Sequence, residues 1–198
     1  MKFSFREKKD LIYAGLMISL AFAILLSGGY MVLLSLNSTF LFSFGIAFIT
    51  AGVGFLLHEL MHKYVAQRYG LFAEFKAFYG MLWLALLFSL FGFIVAAPGA
   101  VFIHGLLTKE RNGKISLAGP LTNIFLAGIF LIAFIFVSKE GLLGEIFRFG
   151  WMINALLGAF NMIPAMPFDG AKILAWNKIV YGITTAVAVL LFFLIYFV

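Results

Sequence analysis

Residues 38–62 read STFLFSFGIAFITAGVGFLLHELMH, and the part from 38 to 57 holds no Asp, Glu, Lys or Arg. An α-helix rises about 1.5 Å per residue, so about 20 apolar residues cross a hydrocarbon core about 30 Å thick. The stretch is long enough to cross, and it runs into His58-Glu59-Leu60-Met61-His62. From Leu41 to His58 such a helix advances about 25 Å, which puts the ionisable pattern inside the membrane, toward one side. Ionisable groups at that depth cost several kcal/mol unless paired, so they mark function more strongly than a solvated His/Glu cluster does.

The pattern repeats outward. Residues 11–36, 77–108, 115–138, 149–168 and 179–198 are also free of Asp, Glu, Lys and Arg. The chain is 64% hydrophobic and 11% charged, where a soluble domain carries about 25% charged residues. This reads as an all-α polytopic membrane protein, a single membrane-embedded domain over 1–198. Segment 11–36 follows the basic MKFSFREKKD but is too long for a signal-peptide core, and it is expected to be a retained first span. There is no cysteine, so a bound metal must use His, Asp or Glu. The net charge of +6 sits in short loops, where it sets topology and meets anionic lipid; no nucleic-acid partner is expected.

Lys2, Arg6, Lys8 and Lys9 place the N-terminus in the cytosol, and the second span then runs inward to Lys63, Arg68 and Lys76. If Asp169 is to reach the depth of His58, segment 78–97 must be re-entrant or a short hairpin. About five full transmembrane helices remain. The cytosolic side then also carries Lys109, Arg111, Lys114, Lys172 and Lys178, with loop 139–148 outside. Around the Asn112-Gly113 turn signal, two short strands are expected, Ala100–Ile103 and Lys114–Leu117.

On a helix, positions four apart share a face. His58 and His62 can therefore reach one zinc ion, with Glu59 beside them as general base toward a water. Catalytic zinc generally takes three protein ligands. Among the remaining acids, Asp169 stands out. It lies next to last in the stretch NMIPAMPFDG at 161–170, where Pro164 and Pro167 break any regular helix and Gly170 allows an unusual turn after the acid. Broken helix at membrane depth is tolerated only where it is buried or lines a cavity. Asp169 is a metal ligand, an N-cap for a helix starting near Ala171, or both.

His58-Glu59-Leu60-Met61-His62, Gly119-Pro120-Leu121-Thr122-Asn123 and Asn161-x-x-Pro164-x-x-Pro167-x-Asp169-Gly170 occur in that order on three spans. Together they resemble the site-2 protease family of intramembrane zinc metalloproteases, over a catalytic core of about 41–178. The resemblance implies one zinc ion per chain held by His58, His62 and Asp169, with Glu59 as general base. It further implies that Asn161 holds the substrate or the developing oxyanion and that Asn123 binds substrate, where the residue alone reads equally as an interhelical hydrogen bond. The implied partners are a transmembrane protein substrate and the lipid bilayer, in the cell membrane. This chain has Phe168-Asp169-Gly170-Ala171 where the family often has Leu-Asp-Gly-Gly. The rival readings are another membrane metalloprotease with Glu140 or Glu145 as third ligand, and a non-proteolytic metal-binding membrane protein or transporter. His104 is expected to be structural, and Trp83, Trp151 and Trp176 to pack or sit at the interface.

Overall fold

The computed structural model describes residues 1–30, 38–94 and 97–198. Among these, five helices are long and apolar enough to cross a membrane: Phe5–Leu26, Phe40–Arg68, Lys109–Phe136, Gly141–Asn161 and Lys178–Tyr196. Their ends follow local chemistry. Helix α1 (Phe5–Leu26) starts at Ser4, whose hydroxyl accepts the Glu7 N–H at 3.1 Å. The helix begins before the expected first span of 11–36 and covers residues 11–26 of it; residues 31–36 and Asn37 after them fall outside the described residues. The second span is α2 (Ser38–Ala47), a π-helical turn (Phe48–Gly52) and α3 (Val53–Arg68). In the turn the Thr50 hydroxyl donates to the Ile46 carbonyl at 2.6 Å.

The backbone groups into two compact units, Lys2–Leu56 with Glu74–Phe102 and Leu57–Ala73 with Ile103–Val198, the latter together with Met1. The first unit contains α1, α2 and most of a strand–helix–strand hairpin. Strand β1 (Phe72–Ala77) pairs with β2 (Gly99–His104), and α4 (Tyr79–Leu90) lies between them in sequence. The Phe78 N–H donates to the Pro98 carbonyl at 3.0 Å, and the Phe72 and His104 rings are 5.8 Å apart, so the strands are antiparallel. Helix α4 has 12 residues, about 18 Å of rise, too little to cross. The chain goes out along β1 and returns along β2, which is the expected hairpin; residues 95–96 of it lie outside the described residues.

The second edge of β1 is covered by side chains. The Phe75 N–H donates to Glu7 Oε1 at 2.9 Å and the Ala77 N–H to Asp10 Oδ2 at 3.1 Å, while the Tyr79 hydroxyl donates to Asp10 Oδ1 at 2.7 Å. Glu7 and Asp10 are buried, and these donors offset the cost of taking a carboxylate out of water. This is why α1 buries residues that a hydropathy window excludes. Gly99 is needed because a Cβ there would lie 2.5 Å from the Lys76 carbonyl oxygen.

The second unit holds the lower part of α3 with α5 (Lys109–Phe136), α6 (Gly141–Asn161), α7 (Asp169–Trp176) and α8 (Lys178–Phe193). The expected strand Lys114–Leu117 does not form. Thr108 caps α5, its hydroxyl accepting the Arg111 N–H at 3.2 Å, and the helix runs through Asn112-Gly113 and on past Pro120. Gly113 serves packing rather than a turn, because a Cβ there would lie 2.6 Å from Trp176 Cγ. Helix α6 starts at Gly141, so Glu145 and Arg148 lie exposed on a helix rather than in the expected loop. Trp151 anchors an apolar core with Ala127, Phe134 and Ala155, and its indole N–H donates to the Leu191 carbonyl at 2.9 Å.

Candidate metal centre

His58 and His62 lie one turn apart on α3, both buried. Their rings are 4.6 Å apart, at 84° to each other. Asp169 is the first residue of α7. The chain between α6 and α7 carries Pro164 and Pro167 and does not continue the helix. The Tyr181 hydroxyl from α8 ties this segment down by donating to the Met162 carbonyl at 3.0 Å. Gly170 is helical and has no left-handed φ, so its freedom to turn is not what is used. A Cβ there would strike the Met162 carbonyl and lie 2.7 Å from the Ile163 carbonyl oxygen. The missing side chain lets α7 start close enough to the broken segment to present Asp169.

A single carboxylate oxygen, Asp169 Oδ2, lies 3.3 Å from His58 Nε2 and 2.9 Å from His62 Nε2. The other, Oδ1, accepts from the Lys172 ammonium at 3.3 Å. No side-chain capping bond starts α7, whose N-cap position is Phe168, so the carboxylate is turned to the histidines instead. Ligand atoms of His58, His62 and Asp169 all lie within 4.8 Å of one another. Ligands bound to tetrahedral zinc at about 2.0–2.1 Å stand about 3.3 Å apart. Among the described residues this is the one such group of His, Asp or Glu; Glu140 and Glu145 do not join it.

The far sides of both imidazoles decide which nitrogen is open. His62 Nδ1 is 2.8 Å from the Ile115 carbonyl oxygen, which can only accept, so Nδ1 carries the proton. His58 Nδ1 is 2.6 Å from Asn123 Oδ1. Both Nε2 lone pairs then point at Asp169 Oδ2, and three electron-pair donors facing one another fit a cation between them. Such outer hydrogen bonds orient metal-binding histidines in general. Gly119 on α5 keeps the space clear, since a Cβ there would lie 2.5 Å from His58 Nε2 and 2.5 Å from His62 Cε1.

The remaining expected residues are spread differently. Glu59 is buried on α3 beside His58. Asn123 is fully buried on α5; besides facing His58, its Nδ2 donates to Asn154 Oδ1 at 3.0 Å. Asn161 ends α6 and donates to the Leu157 carbonyl of its own helix at 2.9 Å. Sequence reading passed over Asn154, although an amide in the uncharged 149–168 span, besides Asn161, is itself a signal. It also read Gly119 only as part of a motif.

Several known proteins are similar to this chain. The “Putative zinc metalloprotease MJ0611” of Methanocaldococcus jannaschii is 49% identical over 142 residues, which cover 71% of this chain and 74% of that protein. The chain belongs to this zinc metalloprotease family. “Zinc metalloprotease MJ0392” of the same organism is 31% identical over 140 residues, 70% of this chain but 35% of that longer protein. “Putative zinc metalloprotease YwhC” of Bacillus subtilis is 30% identical over 146 residues, 64% of this chain and 66% of that protein. The chain matches no protein-family model and no solved structure. Zinc is thus the ion these family members are named for, and His58, His62 and Asp169 form a donor set of the right chemistry for it.

Proposed function

We propose that this member of the zinc metalloprotease family is an intramembrane protease of the site-2 kind, hydrolysing peptide bonds within or near transmembrane segments of other membrane proteins. The observation that carries the reading is the convergence of Asp169 Oδ2 on both histidine Nε2 atoms, at the end of a helix apolar enough to cross a membrane. His58, His62 and Asp169 would hold one zinc ion, leaving a fourth position open. When bound, zinc supplies acidity to water and polarises the scissile carbonyl. Glu59 accepts a proton from the attacking water and returns it to the leaving amide nitrogen, so hydroxide adds to carbon, the C–N bond breaks and an amine departs. Asn161 has a second Nδ2 proton beyond the one given to Leu157, which we assign to the developing oxyanion.

A transmembrane helix hides its peptide bonds and must unwind before cleavage. The unwound chain would add to a sheet edge. Since Glu7 and Asp10 cover the second edge of β1, the outer edge of β2 is the one we assign to it. We place the N-terminus, the start of α5 with Lys109 and Arg111, and α7 with Lys172 in the cytosol, by the positive-charge rule.

Replacing Glu59→Gln tests the reading. Zinc content should stay native, while cleavage of a reconstituted transmembrane reporter should fall at least about 100-fold. Proteolysis at native rate in that variant refutes Glu59 as the general base, and absence of cleavage by the native, zinc-loaded chain favours a metal-binding membrane protein of another kind.

A further inference from the structure

We propose that Asn154 is a positioning residue for His58, acting through Asn123 to set which imidazole nitrogen is offered to the metal. The inference rests on the reading that His58 is a metal ligand, and it names a residue outside the three motifs.

The argument follows the direction of each hydrogen bond. Asn154 Nδ2 is 2.9 Å from the Gly150 carbonyl oxygen. A carbonyl only accepts, so the nitrogen end of the Asn154 amide is fixed there and the oxygen end faces Asn123. Asn123 must then donate with Nδ2, at 3.0 Å, which leaves its Oδ1 toward His58 at 2.6 Å. His58 Nδ1 must in turn be the protonated nitrogen, and Nε2 the open one. A backbone carbonyl on α6 thereby selects the tautomer of a side chain on α3, through two amides 0% exposed. His62 has the same arrangement in one step, from the Ile115 carbonyl. Both histidines are therefore set by a backbone acceptor, one directly and one at a distance.

The relay spans α3, α5 and α6. Removing the acceptor at 154 takes away the partner to which Asn123 Nδ2 donates at 3.0 Å and with it the preference for that amide orientation. A rotated Asn123 offers an N–H to His58 Nδ1 and favours the tautomer with the proton on Nε2, which leaves no lone pair on the nitrogen that faces Asp169. Partners of metal-binding histidines typically contribute 10–100-fold to metal affinity.

The test uses the full chain in detergent, with zinc affinity by chelator competition and the visible spectrum of the cobalt-substituted protein. Asn154→Leu keeps the volume and loses the acceptor; Asn154→Asp keeps an acceptor toward Asn123 and exchanges the donor to the Gly150 carbonyl for a second oxygen. Zinc affinity should fall about 10-fold in Asn154→Leu, with an altered cobalt spectrum, and stay within about twofold of native in Asn154→Asp. Native affinity in a folded Asn154→Leu variant, or an equal loss in both variants, overturns the proposal. If Asn154→Leu does not fold, Asn154→Asp decides: native affinity and spectrum support the relay, and a tenfold loss overturns it. The underlying reading fails separately, if the native chain binds no zinc or if Asp169→Ala leaves binding undiminished.

Discussion

Adding one methyl group at Gly119 should empty the metal centre while leaving the fold in place. A Cβ at this position lies 2.5 Å from His58 Nε2 and 2.5 Å from His62 Cε1, where ordinary contact begins at 3.4 Å. The overlap is close to 1 Å on each, and at about 2.0–2.1 Å a zinc–nitrogen bond leaves no room for a carbon there. Neither ring can swing aside freely, because His58 Nδ1 and His62 Nδ1 are held at 2.6 and 2.8 Å. Breaking each of those bonds costs about 1 kcal/mol or more. Gly119→Ala should therefore weaken zinc binding at least about 100-fold, equivalent to about 2.7 kcal/mol, with cleavage lost in parallel. Gly128 on the same helix is the control, since a Cβ there meets nothing within 4 Å; Gly128→Ala should bind zinc normally. Zinc per purified chain by mass spectrometry and chelator competition read both. Native zinc affinity in Gly119→Ala would show that the histidines do not share a metal at this spot, and the mechanism would fall with it.

The break before α7 and the topology can be tested in the same way. Gly170→Ala forces a methyl onto the Met162 carbonyl and to within 2.7 Å of the Ile163 carbonyl oxygen. It should destabilise the protein by about 1–3 kcal/mol and displace Asp169, giving lower zinc occupancy together with a lower midpoint of thermal unfolding; unchanged values for both contradict the close approach. Cysteines introduced by Glu110→Cys and Leu142→Cys should be labelled from opposite sides of the membrane, 110 from the cytosol. Labelling of both from one side sinks the proposed orientation.

Much of the architecture was legible because a bilayer imposes simple demands. Uncharged runs announced the crossing helices, and the need for Asp169 to share the depth of His58 pointed to a returning segment at 78–97, which α4 and its flanking strands provide. The misplacements have local causes. Strand β1 (FAEFKA) carries Glu74 and Lys76 and looked like a loop, so the partner of β2 was sought downstream, at Lys114–Leu117. Gly113 looked like a turn residue, because a glycine selected to let Trp176 approach has the same letter as one selected for its φ. Buried Glu7 and Asp10 gave no signal in the basic N-terminal stretch, since their partners include backbone N–H groups nearly seventy positions away.

The chemistry of the centre was written in the linear chain: two imidazoles at helical spacing, an acid after a proline-broken segment, and no thiol to compete as ligand. Spacing along one helix determines what that helix presents, whatever surrounds it. Which nitrogen of each imidazole is open, which oxygen of Asp169 faces them, and that Asn123 and Asn154 stand behind His58 were settled only by tertiary structure. Those facts depend on hydrogen-bond directions between helices far apart in sequence, and a carbonyl such as Ile115's or Gly150's has no side-chain signature to read.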